Sequence, residues 1–278
     1  PYYHHGLKPN QISYFEEVGS GYGYPLTTNS LGFKDASIRQ VPLQTDKKRI
    51  LFIGDSFTEG LFFPYEETFT GQIARQRPDL DILNAGVSSY SPLIYYLKVD
   101  YLLKKVGLKF DELFVFIDIS DIQDEYLYLD VERFTPLPET NDLKNFLFKA
   151  DRFVFNHSYG YNFLKQAIEK MSEKVRIVDA RGKWTLNQHF YDTYRLNIKE
   201  ENVKKWADKG IAHAEENMQK LVNLCKARNI ALTIVVYPWD AQIYARDLPS
   251  KQELIWRGFA RKNGIGFIDL FPLFINNE

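Results

Sequence analysis

The sequence predicts an α/β protein built on a parallel sheet whose two faces are covered by helices. Short segments of almost continuous apolar residues recur along the chain, as expected of strands that are buried on both faces. Amphipathic segments of helical length separate them, which is the alternation that parallel strands with crossover helices require. Gly, Asp or Ser ends several of the apolar segments, and ligands bind at such strand ends in open parallel sheets.

Each predicted element follows from this alternation. The strand segments are 49–55 (RILFIGD), 81–86 (DILNAG), 112–118 (ELFVFID), 231–238 (ALTIVVYP) and 266–271 (GFIDLF). The helical segments between them are 66–76, 92–106, 200–228 and 250–262. Two parts of the chain differ. Residues 1–48, rich in Gly, Pro, Asn and Tyr, are predicted to form an irregular arm packed on the domain, and 126–199 an insertion with at least one helix. The main domain therefore extends over 49–278.

Composition limits the class of protein. With 278 residues, of which 45% are hydrophobic, the chain suits one domain with insertions. Its 35 basic and 36 acidic residues nearly cancel, so bulk charge gives no reason to bind nucleic acid or an anionic membrane. Cys225 has no partner for an internal disulfide, and its helical context predicts a small core residue.

Targeting signals are not evident in the sequence. No apolar run reaches the roughly 18 residues of a membrane span, and no signal peptide is visible. The sequence opens at Pro1 rather than at methionine. A leader or an N-terminal membrane anchor outside this chain therefore stays open as a hypothesis.

The segment 49–60 (RILFIGDSFTEG) carries the main candidate for chemistry. Its apolar run stops at Gly54, and Asp55 and Ser56 follow in a tight turn before a helix. A serine at such a junction meets backbone N–H groups and the positive end of a helix, which suits a nucleophile. The same letters also spell an S-x-x-E capping box, in which Ser56 caps the helix and Glu59 reaches back. This segment alone leaves both interpretations open.

Three motifs on successive strand ends give the chain a resemblance to the SGNH (GDSL-type) hydrolase superfamily. They are Gly54-Asp55-Ser56, Asn84-Ala85-Gly86 and Asp118-Ile119-Ser120-Asp121. The third stands where the family usually has G-x-N-D. The resemblance covers 49–271 and implies a three-layer α/β/α sandwich with a parallel sheet of about five strands. The flanking segments 29–33 (NSLGF) and 63–69 (FPYEETF) resemble the bacterial envelope branch associated with exopolysaccharide modification, which implies a periplasmic or other extracytoplasmic location.

The resemblance implies roles for five residues. Ser56 matches the nucleophile, and the backbone N–H groups of Ser56 and Gly86 match two oxyanion donors. Glycine suits the second position because backbone can approach a substrate closely there, although a turn glycine after a strand is the alternative. Ser120 stands in place of an asparagine donor, yet 120–123 (SDIQ) also spells a capping box, and one hydroxyl could not readily serve both. Asp55 and Asp121 are predicted to support the site.

The catalytic acid and base are missing from the expected place. The family carries them in a D-x-x-H block shortly after the last strand, where histidine deprotonates the serine and aspartate orients the histidine. The sequence given ends at Glu278. Either the block lies beyond Glu278, which we expect, or the protein has lost general-base catalysis. The five histidines are His4, His5, His157, His189 and His213. None of them is expected to replace the base.

Side chains near the strand ends indicate the type of ligand. The aromatic ones are Trp239, Trp184, Tyr90, Tyr95 and Tyr96. Such rings suit the apolar faces of sugars, although a chain with 18 Tyr and 21 Phe places some rings near any site. The acidic group consists of Asp118, Asp121, Asp124 and Glu125. A helix start already favours acidic residues, so no metal site is predicted there.

The sequence thus predicts a serine esterase or O-acyltransferase that acts through a Ser56 acyl-enzyme on acyl esters, chiefly acetyl esters, of a carbohydrate. The predicted partner is the acylated carbohydrate, and no cofactor is predicted. A hypothesis of another class is a non-catalytic carbohydrate-binding or assembly module on the same fold. Reading the gene beyond Glu278 for a D-x-x-H block would discriminate between the two.

Overall fold

The computed structural model of the protein describes residues 3–16, 23–128 and 200–276. A five-stranded parallel sheet is its centre. The strands of this sheet are β3 (Arg49–Ile53), β4 (Asp81–Asn84), β5 (Glu112–Ile117), β6 (Ala231–Val236) and β7 (Gly266–Asp269). All five coincide with predicted strand segments. The apolar runs located β3, β4, β5 and β6 because these strands are largely buried, whereas β7 lies at the edge of the sheet and is partly exposed.

The strands lie in the order β4-β3-β5-β6-β7. Every neighbouring pair is parallel, with Ile50 opposite Glu112 and Ile53 opposite Val115 between β3 and β5. The chain moves outward in one direction from β3 to β4 and in the other direction from β5 onward. This reversal opens a crevice beyond the carboxyl ends of β3 and β5, which is where open parallel sheets bind ligands.

Helices cover both faces of the sheet and confirm the predicted three-layer sandwich. They are α1 (Ser56–Glu59), α2 (Phe69–Gln76), α3 (Pro92–Tyr101), α4 (Ile119–Leu127), α5 (Glu200–Ala227), α6 (Asp240–Tyr244), α7 (Lys251–Asn263) and α8 (Phe271–Asn276). A π-helical turn, Leu102–Val106, continues α3, and a 3₁₀ turn, Tyr65–Glu67, precedes α2. In the described ranges no helix is both long enough and apolar enough to cross a membrane.

The alternation of side chains along the strands fills two separate core layers. Leu51 and Ile53 of β3 enter the larger layer, packed with α3, α5 and α7 through residues such as Trp256. Ile50 and Phe52 point to the other face, where α2 covers them. Cys225 of α5 is buried in the larger layer, and burial raises the pKa of its thiol to about 12. It is therefore a small core residue, as predicted.

The N-terminal segment is more regular than predicted. β1 (Ile12–Glu16) and β2 (Gly23–Thr27) form an antiparallel hairpin, so the expectation of an irregular arm is corrected. Cross-strand pairs such as Phe15 opposite Tyr24 stabilise it. Beyond the hairpin, the backbone of Lys34 pairs with that of Asn84 in an isolated antiparallel β-bridge, which attaches this segment to the edge of the sheet.

The predicted insertion at 126–199 falls mostly outside the described residues. Only its first residues are described, and 126 and 127 belong to α4. Trp184, His157 and His189 also lie outside the described part of the chain.

Candidate active site

A cavity of about 280 Å³ opens at the carboxyl ends of β3, β5 and β6. Its lining consists of Asp55, Ser56, Phe57, Leu61, Phe62, Asp118, Tyr237, Pro238 and Trp239. Ser56 and Trp239 were both predicted to lie at strand ends, and the structure brings them to the same cavity. Ser56 is half-buried there. The cavity therefore joins the candidate nucleophile to an aromatic wall.

Ser56 is the first residue of α1 and not its cap. Asp55 is the N-cap, and its Oδ1 accepts a hydrogen bond from the backbone N–H of Phe57 at 3.0 Å. Glu59 does not reach back, since its Oε2 accepts from the backbone N–H of Ser88 at 2.7 Å. The capping-box interpretation of Ser56 is therefore wrong by one residue, because a preceding aspartate satisfies the helix start. The Ser56 side chain is left for other contacts.

Asp55 connects the cavity to the residues beneath it. Its Oδ2 accepts from the Ser56 hydroxyl at 3.3 Å and also lies 3.3 Å from the Ser120 hydroxyl oxygen, and its Oδ1 also accepts from the Tyr237 hydroxyl at 3.0 Å. Burial, followed by the nearby Asp118 carboxylate, raises the pKa of Asp55 to about 7. Asp55 thus contacts the Ser56 hydroxyl from a buried position that favours the protonated form of its carboxyl group.

Asp118 and Asp121 form the capping box at the start of α4. Asp118 Oδ1 accepts from the backbone N–H groups of Ser120 and Asp121, at 2.6 Å and 3.3 Å, and Asp121 Oδ2 accepts from the backbone N–H of Asp118 at 2.8 Å. The capping box that was predicted to begin at Ser120 therefore begins two residues earlier, at Asp118. Asp118 Oδ2 also accepts from the indole Nε1 of Trp239 at 2.5 Å. This bond links α4 to the chain that follows β6.

Ser120 lies below the cavity and does not line it. Only 6% of the residue is exposed, and its Oγ lies 2.6 Å from Asp118 Oδ1 and 3.3 Å from Asp55 Oδ2. A serine hydroxyl has one hydrogen to donate. Asp118 Oδ1 lies at the shorter distance and is therefore the stronger acceptor for that hydrogen. In this arrangement Ser120 bridges two aspartates, and its predicted role as an oxyanion donor stays a prediction.

Gly86 allows the loop after β4 to approach α1 closely. An added Cβ would lie 2.8 Å from the backbone N of Glu59 and from side-chain atoms of Thr58. Its own backbone N–H donates to Asn84 Oδ1 at 3.0 Å. The close approach explains why a glycine stands here. Because this N–H already has an acceptor, its predicted oxyanion role requires that bond to open.

The three aspartates are the described residues best placed to hold a cation. Carboxylate oxygens of Asp55, Asp118 and Asp121 lie within 4.8 Å of one another. Every one of their six oxygens already accepts a hydrogen bond from the protein; for Asp121 Oδ1 the donor is the Tyr95 hydroxyl at 2.9 Å. Burial and the two neighbouring carboxylates raise the pKa of Asp121 well above its ordinary value. The arrangement fits a network of shared protons beneath Ser56.

None of the described residues that line this cavity is a histidine. His5 contacts the loop after β4, where its Nε2 donates to the Ser88 carbonyl oxygen at 2.7 Å. His213 lies on α5, with its Nδ1 3.6 Å from Glu125 Oε1. Both contacts are with groups other than Ser56. The general base of a serine hydrolase is therefore not supplied by the described lining of the cavity.

The aromatic wall differs in part from the sequence prediction. Tyr90 and Tyr95 are fully buried core residues and do not face a ligand. Trp239 lines the cavity as expected, and so do Phe57, Phe62 and Tyr237, which were not predicted to line it. Phe57 and Tyr237 stack with ring centroids 4.2 Å apart. The signal that could have found two of them was position, since Phe57 adjoins Ser56, and Tyr237 directly follows β6, two residues before Trp239.

A larger cavity, of about 620 Å³, lies at the opposite end of the sheet. It is lined by residues such as Arg49 and Asp111, which begin or precede strands. The guanidinium group of Arg49 is occupied by Asp81 and by backbone carbonyl groups, including that of Lys109. Size alone does not make it the site, because ligands of parallel sheets bind at the carboxyl ends of the strands.

Comparison with known proteins gives matches among solved structures. No family model and no curated protein matches the sequence. AlinE4, an SGNH-hydrolase family esterase, is similar with 13% sequence identity and a TM-score of 0.42, over 84% of this chain and 80% of that one. A catalytic mutant of Axe2, an acetylxylan esterase from Geobacillus stearothermophilus, is similar with 13% identity and a TM-score of 0.40, over 85% of this chain and 82% of that one.

Proposed function

We propose that the protein is a serine esterase or O-acyltransferase that acts on acyl esters, chiefly acetyl esters, of a carbohydrate. The observation that carries this proposal is the placement of Ser56. The residue is half-buried and lines the cavity at the crevice between β3 and β5, at the first position of α1. The motif order that resembles the SGNH hydrolases supports the same role. We extend the proposal to the bacterial envelope as the location on that resemblance alone.

The reaction has two stages. The Ser56 Oγ attacks the ester carbonyl carbon while its proton passes to a general base, which gives a tetrahedral oxyanion. The carbon–oxygen bond to the sugar then breaks, and the sugar oxygen leaves with a proton. Water or a second sugar hydroxyl attacks the acyl–Ser56 ester, releases the acyl group and restores the serine. The proposed general base is a histidine, which the described lining of the cavity does not supply.

Two groups of this chain prepare Ser56 for that attack. Asp55 Oδ2 accepts from the hydroxyl at 3.3 Å and so orients it. The backbone N–H of Ser56 belongs to the first turn of α1, whose N–H groups have no acceptors within the helix. Such an N–H can donate to the oxyanion that develops on the acyl group when that group is attached to the Ser56 side chain.

A binding module without catalysis is the second candidate, and two observations favour it. The hydroxyl of Ser120 and the N–H of Gly86 are engaged within the protein. In the described part of the cavity no histidine faces Ser56. A module of this kind would bind the glycan in the same cavity and leave its esters intact.

The experiment is release or transfer of acetyl groups from acetylated oligosaccharides by the full-length gene product, compared with the Ser56→Ala variant. We expect Ser56→Ala to abolish release while sugar binding persists. Ser88→Ala is the matched control, because Ser88 lies on the neighbouring loop and does not line the cavity. Glycan binding with no Ser56-dependent release would favour the binding module instead.

A further inference from the structure

The turn after α1 presents an aromatic side chain at the mouth of the Ser56 cavity. Phe62 lines the cavity and is 43% exposed. Its backbone adopts φ 76°, a left-handed conformation that is unfavourable for a bulky side chain. Strained backbone of this kind persists only where surrounding contacts hold it, and it is frequent at ligand-binding sites.

The N-terminal segment supplies the contacts that hold this turn. The backbone N–H of Phe62 donates to the hydroxyl oxygen of Tyr24 at 3.1 Å, and the Phe62 ring meets Phe15 edge-on at 5.6 Å. Lys34 Nζ donates to the carbonyl oxygens of Gly60 and Phe63, at 2.8 Å and 2.5 Å. Tyr24 and Phe15 belong to the hairpin, so the hairpin fixes the orientation of the Phe62 ring.

The chemistry around Phe62 favours one class of ligand. Phe57, Tyr237 and Trp239 add aromatic surface to the cavity, and the Asp55 and Asp118 carboxyl groups form its polar part. A sugar ring has an apolar face for the aromatic groups and hydroxyl groups for the carboxyl oxygens.

We propose that Phe62 is a specificity-determining residue that stacks on the sugar ring whose ester reaches Ser56, and that the β1–β2 hairpin positions it for this contact. The inference rests on the proposed function for its substrate but concerns the sugar side of the ester alone. It gives the N-terminal hairpin a role in substrate selection. The general base and the acyl group do not enter it.

The first test measures binding without chemistry. In the Ser56→Ala background, calorimetry with an acetylated oligosaccharide should show that Phe62→Ala weakens binding by about 5- to 50-fold, on the scale of a lost aromatic contact. Phe62→Trp should stay within about threefold. Phe62→Asn is the decisive variant, because asparagine tolerates the left-handed backbone. It should fold at least as well as the parent and still bind sugar weakly.

The second test measures specificity in turnover. In the active protein, Phe62→Ala should lower kcat/KM for the sugar acetate by a similar factor and leave that for ethyl acetate within about threefold. Phe63→Ala is the matched control, since Phe63 is 50% exposed, adjoins Phe62 and does not line the cavity. This variant should leave kcat/KM unchanged for both substrates.

Several outcomes would overturn the inference. In the binding test, these are an absence of sugar binding by the Ser56→Ala protein and sugar binding that is unaffected by Phe62→Asn. In the turnover test, they are equal losses of kcat/KM on the sugar acetate and on ethyl acetate, or a larger loss on ethyl octanoate, which would place Phe62 on the acyl side. If the active protein releases no acyl group, the proposed function fails. The binding experiment still decides the role of Phe62 in that case.

Discussion

The hydroxyl of Ser120 lies 2.6 Å from Oδ1 of Asp118, the residue that caps α4. The contact holds the single hydroxyl hydrogen of Ser120 against a carboxylate. Asp118 at the same time binds the indole of Trp239, which lines the cavity. The end of β5 is therefore organised around Asp118, and Ser120 supports this arrangement from below.

Replacement of Ser120 tests whether it acts on the oxyanion. We expect Ser120→Ala to cost about 1 kcal/mol of unfolding free energy, the scale of one buried hydrogen bond, and to leave kcat within about threefold. An oxyanion donor would instead lose about 10- to 1,000-fold in kcat with little change in KM. Urea unfolding and steady-state kinetics on the same preparations decide between them. A stable variant with a large loss in kcat would restore the oxyanion role.

Asp55 makes stability depend on pH in the acidic range. Its pKa in the folded protein is about 7, above its ordinary value of 3.8. Between these values the folded state holds a proton that the unfolded state has released, so the free energy of unfolding falls as pH rises from about 4 to about 7. Urea unfolding at pH 4, 5.5 and 7 should show this decline.

The Asp55→Asn variant should show a shallower decline over the same range. A part of the slope remains because the pKa of Asp121 is also raised, though Asp55 contributes to that shift. Asp79→Asn is the control: Asp79 is exposed and pairs with Arg77 at the surface, so its replacement should leave the slope nearly unchanged. A slope in Asp55→Asn equal to that of the parent would contradict the assignment of the proton to Asp55.

Lys98 makes stability depend on pH in the opposite sense. Burial lowers its pKa to about 7, although its Nζ donates to the Ala85 carbonyl oxygen and the Tyr90 hydroxyl oxygen, both at 3.0 Å. From pH 7 to about 9.5 the unfolded state holds the proton that the folded state has lost. The free energy of unfolding should therefore rise with pH over this range.

Lys98→Met keeps the length of the side chain and removes the titrating group. We expect it to reduce the rise between pH 7 and 9.5, with a remainder from Lys34, whose pKa is lowered to about 8. Lys104→Met is the matched control, since Lys104 lies at the surface next to Asp100. An undiminished rise in Lys98→Met would show that Lys98 is not the group responsible.

The sequence predicted the sheet well because most of its strands are largely buried. The run 112–118, for example, contains the whole of β5, and the run 231–238 contains the whole of β6. Patterns of this kind report burial directly. The hairpin was missed because Phe15 and Tyr24 are stabilised by each other and by Phe62 rather than by a long apolar run.

The site was only partly predictable. Ser56 and Trp239 were found because each directly follows a strand segment of the parallel sheet. The caps were misplaced by one and two residues because aspartate and serine are both good caps, and only the three-dimensional structure shows that Asp55 and Asp118 take that position. Phe62 reaches the cavity through a contact with the distant Tyr24, and no local pattern encodes such a contact.

The most direct test of the central claim is covalent labelling of Ser56. The full-length gene product is treated with a fluorophosphonate, which labels activated serine nucleophiles, and the modified peptide is identified by mass spectrometry. We expect one labelled residue, Ser56, and no labelling in Ser56→Ala, with Ser88→Ala labelled like the parent. A folded full-length protein that takes no label at Ser56, or a Ser56→Ala variant that still releases acetyl groups at the parental rate, would contradict it.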